Sequence, residues 1–330
     1  MMKCSGCYTD TDKAFCLKCR KRLFDGAKVP SVLNFDAPRA DNLAEFQKLS
    51  KRLSISGVQL KYSLRLEAND LILSENKGQY ILKPVPPSKQ LIALGDIPEN
   101  EHLTMQIAEH IYKINTAANG LISFRDGNVA YLTRRFDVKP DGSKYMQEDF
   151  AQLLNRTSES HGEAFKYDGT YEEIGMLIKK YVAAAPPAIE RFFQLVAFNY
   201  VVSNGDAHLK NFSLIRTDDG EYRLTPAYDL LSTVIHTPQE ADTALDLYEG
   251  SMNSPFYITY GYYGRPDFLE LGKRLGLLEQ RAVKILDNFI HKEQQVMTFI
   301  EKSQLSPNSK DKYANNLNDK LKRITIIEQS

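Results

Sequence analysis

The chain has 330 residues, 42% hydrophobic and 25% charged, an ordinary globular composition with ample apolar material for a sizeable core. Lysine plus arginine and aspartate plus glutamate both number 42, and a formal net charge of zero disfavours direct binding of DNA or RNA. No stretch approaches the ~18 continuous apolar residues of a membrane span, and the first residues carry no apolar signal-peptide core, so the expectation is a cytoplasmic protein with no membrane partner.

All four cysteines fall in the first 19 residues, as Cys4-x2-Cys7 and Cys16-x2-Cys19. Tetrahedral Zn2+ takes four soft ligands from a short loop, and paired CxxC knuckles supply them. A redox pair or unpaired thiols are the alternatives; the concentration of cysteine in a reducing compartment favours a structural zinc knob over residues 1–30. Lys18, Arg20, Lys21 and Arg22 make the knob basic, which reads as solvated surface. Residues 23–53 look irregular, with Pro30 and Pro38 and a polar amphipathic run near 43–53, a connector into the main domain. Alternation through Tyr62, Leu64 and Leu66 predicts a strand, and a polar turn near Glu75 to Gly78 returns the chain into Tyr80-Ile81-Leu82-Lys83-Pro84. A loop between strands followed by a strand lysine is where kinases keep their phosphate loop and phosphate-binding lysine. Gly57 is the single glycine of that loop, so a plain hairpin with a surface lysine stays open.

Asp96 and Pro98 then open a helix whose apolar face runs Leu103, Ile107, Ile111 and Ile114. Glu101, in its first turn, is the candidate ion-pair partner of Lys83; the alternative is that an early acidic residue merely suits the helix dipole, and Glu99 would serve equally. Asp126-Gly127 between apolar segments at 121–124 and 129–138 predicts a hairpin. Gln147-Glu148-Asp149-Phe150 leaves the sheet and starts a helix through Leu153-Leu154, closing a mainly β lobe over residues 31–150. A polar loop is expected from Asn155 to Thr170, its serines and threonines solvated. One helix follows with Ile174, Leu177, Ile178 and Tyr181, stopped by Ala185-Pro186-Pro187. The next, from about Ala188 to Val202, is apolar nearly all round, the central core helix of a second, all-helical lobe over 151–330.

That helix breaks at Ser203-Asn204-Gly205 and delivers Asp206, His208, Lys210 and Asn211. Asp206 to Asn211 is D-x-x-x-x-N, the spacing of a protein-kinase catalytic loop, and Asp229 follows where a second metal-binding carboxylate belongs. Phosphoryl transfer needs hard oxygen ligands for Mg2+ and a carboxylate beside the attacking hydroxyl. The segment from Asp229 to about Gly264 occupies the place of an activation segment. Further helices begin at Asp267 and Arg281, and Ser306-Pro307 starts a last polar helix with Tyr313, Leu317, Leu321 and Ile324 on one face. The fold expected is α+β, two-lobed and protein-kinase-like.

The set Ser-Ile-Ser-Gly-Val-Gln-Leu-Lys at 54–61, Tyr-Ile-Leu-Lys-Pro at 80–84, Arg-Arg-Phe-Asp at 134–137 and Gln-Glu-Asp-Phe at 147–150 resembles the HipA-type Ser/Thr kinases. Asn-Gly-Asp-Ala-His-Leu-Lys-Asn-Phe-Ser at 204–213 and Ala-Tyr-Asp-Leu-Leu-Ser at 227–232 extend the resemblance over roughly residues 50–300. It implies ATP and Mg2+ as cofactors, Asp206 as catalytic base, Asn211 and Asp229 as Mg2+ ligands, and Lys83 on the ATP phosphates. It places Ser56, Gly57, Val58, Gln59, Leu60 and Lys61 over the phosphates, Glu148, Asp149 and Phe150 at adenine, and His208, Lys210 and Tyr228 in the nucleotide site. Ser54 and Ser56 become candidate autophosphorylation sites, a Ser-x-Ser pair similar to that of the shorter HipT-type members.

The resemblance further implies a toxin of a toxin–antitoxin system. Its partners would be a helix-turn-helix antitoxin (HipB-like), DNA only through that antitoxin, and a protein substrate such as an aminoacyl-tRNA synthetase. The amino-terminal subdomain of long HipA proteins has a cysteine knob in its place, so a separate small protein like that subdomain is a further candidate partner. Two other classes stay in view. One is a repressor-complex component with a vestigial kinase site, which the intact Lys83, Asp206, Asn211 and Asp229 oppose. The other is a small-molecule kinase of the aminoglycoside type, against which the loop serine pair argues.

Overall fold

The computed structural model describes residues 2–38, 60–86 and 91–326. Strands β1 (Met2–Lys3) and β2 (Asp10–Thr11) pair antiparallel, with Cys4 and Cys7 in the connection between them. Helix α1 (Leu17–Phe24) follows, with Cys16 as its N-cap residue and Cys19 in its first turns; Asp25 ends it in the left-handed conformation at φ 51°. The knob is docked on the neighbouring sheet and is part of that sheet's core.

That sheet is antiparallel throughout: β3 (Tyr62–Glu67), β4 (Asp70–Leu73), β5 (Tyr80–Pro84), β6 (Asn119–Ser123) and β7 (Val129–Arg134), in spatial order β4-β3-β5-β7-β6. Side chains alternate across a strand, so the sheet has two distinct faces. Tyr62, Leu64, Tyr80, Leu82, Ala130 and Leu132 pack on one face against Phe15, Leu23 and Phe24 of the knob. Leu121 donates its backbone N–H to Ser5 O at 2.8 Å, and a Cβ on Gly120 would come within 3.1 Å of that same oxygen. The other face carries Lys83 opposite Tyr131. Strand β4 has no counterpart in the sequence reading. The turn before it is made by Ala68 at φ 54°, without the glycine that marks such turns.

Helix α2 (Ile97–Gln106) crosses the second face, and a π-helical turn (Ile107–Ile111) continues it. The chain leaves the helix there, with Lys113 at φ 59°, so Ile114, expected on the helix's apolar face, lies beyond its end. All ten residues of α2 are buried, including six polar ones, and a buried polar group is costly without a partner. Thr104 meets the Tyr313 hydroxyl at 2.9 Å, and His102 and Gln106 both reach Asn119 Oδ1.

The second lobe begins with β8 (Met146–Asp149) and α3 (Phe150–Leu153), capped by the Asp149 carboxylate on Gln152 N at 2.9 Å. The stretch expected as a loop holds α4 (Ser158–His161) and a 3-10 turn (Phe165–Tyr167). Thr157 and Thr170 cap the helices that follow them, α4 and α5 (Tyr171–Tyr181). Helix α6 (Ala185–Val201) is the centre of the lobe. It starts at Ala185, so Pro186 and Pro187 open it where the sequence reading took them to end the helix before; a first-turn proline forfeits no intrahelical hydrogen bond.

Strands β9 (Ser213–Arg216) and β10 (Tyr222–Leu224) join β8 in a ribbon of order β10-β9-β8, so the lobe is helical apart from this ribbon. Helices α7 (Pro255–Tyr260), α8 (Arg265–Arg274), α9 (Glu279–His291), α10 (Glu293–Lys302) and α11 (Pro307–Arg323) complete it. Two lobes, a β sheet with α2 and a mainly helical unit, form the kinase-like α+β architecture. Among the described residues no helix is long and apolar enough to cross a membrane.

The knob, α2 and the segment that follows α10 meet at one carboxyl. Tyr8 donates its hydroxyl to Glu99 Oε1 at 2.8 Å, and Gln304 N donates to the same oxygen at 2.7 Å. Oε2 is buried with no hydrogen-bond partner among the described residues. Burial pushes the Glu99 carboxyl up to about 7, beyond what these two donors can offset. The folded state thus binds this proton more tightly than the unfolded chain, whose glutamates titrate near about 4.3. Stability therefore falls as pH climbs from there through 7. Glu99→Gln should remove that loss, so its melting temperature relative to the native protein should rise between about pH 5 and about pH 8. An equal offset at both pH values would show Glu99 to be charged in the fold.

Candidate active site

Lys83 projects from the middle of β5 and is 2% exposed. It pairs with Glu101 of α2, itself 1% exposed, and with Asp229 Oδ1 at 2.5 Å, while its ammonium sits 5.3 Å from the Tyr131 ring centroid. Burial would depress the Lys83 pKa, but Asp229 and Glu101 more than offset it and hold the amine above its ordinary value, fully charged. Of the two carboxylates proposed for this pair, the structure selects Glu101, because Glu99 faces the knob.

Asp229 takes the second oxygen to Lys61 Nζ at 3.2 Å. Burial opposes its ionisation, yet Lys61 and Lys83 hold its carboxyl well below the usual range. The backbone here is left-handed, with Asp229 at φ 55°, a conformation that aspartate tolerates better than most residues. Ala227 anchors the turn by exchanging backbone hydrogen bonds with Asn115 and Ala117 at 2.8 and 2.9 Å. Asn100, beside Glu101, fixes its far side: its amide donates to Ser232 O at 2.9 Å and accepts from Ser232 N at 3.0 Å.

The loop after α6 turns at Ser203, φ 55°. Gly205 is required there because a Cβ would stand 2.5 Å from Ala241 O. Asn204 Nδ2 spans Asn199 Oδ1 at 2.9 Å and Asp229 O at 3.5 Å, tying this loop to the Asp229 turn. Tyr171 donates to Ala207 O at 3.0 Å and Tyr228 to Lys210 O at 2.9 Å. Asn211 Oδ1 accepts from His208 N at 3.1 Å. Asp206, by contrast, is 43% exposed. His208 lies beneath it with Nε2 at 3.8 Å, and burial drops the imidazole pKa to about 4, so it is neutral. His208 feels the charges of both Asp206 and Asp229.

The remaining expected residues divide. Leu60 and Lys61 are described, whereas Ser54, Ser56, Gly57, Val58 and Gln59 lie outside the described residues. Lys210 pairs with Asp149 at 2.5 Å, and Tyr228 packs on Phe136 at 5.6 Å. Glu148 pairs with Leu214 of β9. Two backbone donors expected at adenine are engaged: Phe150 N donates to Phe212 O at 3.2 Å and Asp149 N to Gln152 Oε1 at 2.9 Å. The open side of the edge strand β8 is what this segment offers a ligand.

The four cysteine sulfurs lie within 4.8 Å of one another, and none is in a disulfide. Gly6 N and Cys16 N point at Cys4 Sγ from 3.4 and 3.2 Å, the turn geometry that stabilises a thiolate. The donor set fits a tetrahedral soft-metal centre.

Residues 53–297 match the family model described as the HipA-like C-terminal domain. The chain belongs to this family. A Haemophilus influenzae protein named "Putative kinase" is 28% identical over 258 residues, covering 74% of each chain. "Putative kinase Y4dM" of Sinorhizobium fredii is 33% identical over 229 residues, 64% of this chain and 53% of its own length. Among solved structures, the HipA fold of Shewanella oneidensis superposes with a TM-score of 0.62 at 20% identity, over 88% of this chain and 72% of that one. The Shewanella structure is described as a toxin–antitoxin complex of HipA, HipB and operator DNA. The Helicobacter pylori proinflammatory kinase CtkA gives 0.50 at 14% identity, over 79% and 90% of the two chains.

Sequence reasoning missed Asn100, Tyr8, Lys166 and Tyr167. None belongs to a local motif, and each acts on a partner remote in the chain. Asn100→Ala would leave the Ser232 N–H buried without its partner, while Ser232 O keeps the Ile235 N–H at 3.3 Å. It should cost about 1–3 kcal/mol, the usual loss for one orphaned buried group, read from urea unfolding. A loss below about 0.5 kcal/mol, within surface-substitution range, would show that the clamp is not formed.

Proposed function

We propose that this HipA-family chain is an ATP- and Mg2+-dependent protein serine/threonine kinase. The observation that carries the reading is the buried Lys83, joined to Glu101 and Asp229 in one cluster that the Asn204 amide links to the Asp206 loop. A permanently charged lysine at that place suits the phosphates of ATP, and Lys61 and Lys210 add positive charge around the same cleft. The names borne by the Haemophilus and Sinorhizobium relatives support the same chemistry.

Asp206 is solvent-exposed and would take up the proton of an acceptor hydroxyl as its oxygen attacks the γ-phosphorus. The neutral His208 below it leaves the carboxylate free to do so. Asn211 and Asp229 offer the hard oxygen atoms that Mg2+ prefers; bound there, the ion would neutralise phosphate charge. Adenine would lie against the open side of β8. Ser54 or Ser56, in the loop over the phosphates, would accept a phosphoryl group in cis, and the added charge would repel ATP from the site. The likeness to the Shewanella complex supports a helix-turn-helix antitoxin as partner, with DNA reached through it. A translation component such as an aminoacyl-tRNA synthetase, and a small protein completing the amino-terminal side, belong to the same reading.

Asp206→Asn should reduce phosphoryl transfer by about 10²–10⁴-fold while melting with the native protein, as general-base losses usually do. Intact mass before and after ATP·Mg2+, with peptide mapping of residues 52–61, reads autophosphorylation, and labelled ATP in a lysate shows whether protein or metabolite is labelled. Label confined to small metabolites would overturn the protein-kinase reading.

The same proposal assigns Zn2+ to Cys4, Cys7, Cys16 and Cys19. Purified protein should carry one zinc per chain, matching the one cysteine cluster. Chelation should lower the melting temperature and speed amide exchange in Ile97–Gln106, which the knob contacts through Tyr8. Metal-free protein with native exchange in that helix would refute the assignment.

A further inference from the structure

We infer that Tyr167 occupies the acceptor-hydroxyl position beside Asp206 and selects a polypeptide acceptor over water. The inference rests on the kinase reading above and concerns a residue that no motif marks. Tyr167 donates its hydroxyl to Asp206 Oδ1, the contact an acceptor hydroxyl must make with a general base before transfer. Its ring stands edge-on against His208 at a centroid distance of 5.2 Å, and Lys166, from the same turn, holds its ammonium 4.7 Å from the ring and 4.0 Å from Asp206.

The turn that presents Tyr167 is built rather than draped. Phe165 is 7% exposed and seated in the helical core. Arg156 binds Asp168 O from one side and Glu173 at 2.8 Å from the other. Gly162 at φ 72° and Gly169 at φ 152° bracket the turn, two positions where the chain can pivot without a Cβ penalty. Tyr167 itself is 41% exposed and engages one oxygen of a base that stays 43% exposed, so an incoming segment can displace it.

The consequence is discrimination between acceptors. In either reaction the acceptor oxygen bonds the γ-phosphorus, the bridging oxygen departs with ADP, and the acceptor proton passes to Asp206. A water molecule brings no binding energy with which to displace the tyrosine; a polypeptide does. Tyr167 thus keeps ATP from idle hydrolysis until a polypeptide replaces it.

The test compares native protein with Tyr167→Phe, which keeps the ring on His208 and removes only the hydroxyl. ADP release from ATP·Mg2+ is measured with water as sole acceptor, and phosphorylation of dephosphorylated casein is measured across casein concentrations. Losing a hydrogen bond to a charged group should raise ADP release about tenfold and lower the casein KM about tenfold, with kcat unchanged. A purely structural tyrosine would leave both unchanged, and one that orients Asp206 would lower kcat; either result overturns the inference. Phosphate mapped onto Tyr167 itself would make it an acceptor and overturn it too. Absence of ADP from native and variant protein alike would sink the kinase reading and this inference together, whereas ADP release that the variant fails to raise sinks the inference alone.

Discussion

Lys83, Glu101 and Asp229 form a charged cluster whose first two members are almost wholly removed from water. Taking ions out of water costs several kcal/mol each, so such a cluster survives only where its partners are held in register. One member comes from the sheet, one from the buried helix α2, and one from the turn that follows the ribbon of the helical lobe. Each of those elements must be placed by contacts of its own before the charges can meet. The lobe arrangement and the chemistry are therefore one problem.

Helix α2 answers much of it. Four of its six buried polar residues each reach a different place: Glu99 the knob and the segment after α10, Asn100 the Ser232 backbone, Glu101 the sheet lysine, Thr104 the last helix. Apolar packing alone would allow a helix of this length to slide or rotate at little cost, whereas a misplaced buried polar group loses its partner outright. The cysteine knob contributes from outside the cleft, closing the sheet face opposite α2 and bonding α2 through Tyr8. It is thereby mechanically continuous with the glutamate that pairs with Lys83.

The Asp206 loop is organised on the opposite principle. Its backbone is pinned at Ala207, His208 and Lys210, yet the Asp206 carboxylate stays exposed, with the Tyr167 hydroxyl bonded to it at its rim. Under the proposed function the two differ for a reason: a lysine that binds phosphate gains from burial, which strengthens its field, whereas a base that meets a second macromolecule cannot be buried in the fold. Exposure then creates the need for a cover, and the 165–167 turn lies where that cover is needed.

Local chemistry determined a great deal by itself. The CxxC pairs, the alternation in β3, the Asp-Gly turn before β7, the apolar α6 and the D-x-x-x-x-N loop are legible because period, turn chemistry and ligand spacing are properties of adjacent residues. They yield the two-lobed class and most of the reacting groups. Strand β4 was hidden because its turn uses Ala68 at positive φ, and the prolines of α6 were misread because a helix start and a helix stop share that residue. Tertiary structure alone decided the rest: Glu101 over Glu99 for Lys83, Asn100 as the clamp on Ser232, and Tyr167 on Asp206. These pairings join residues 18, 132 and 39 apart in the chain, and their energy comes from shared burial, which exists only once both partners have been brought together by the fold.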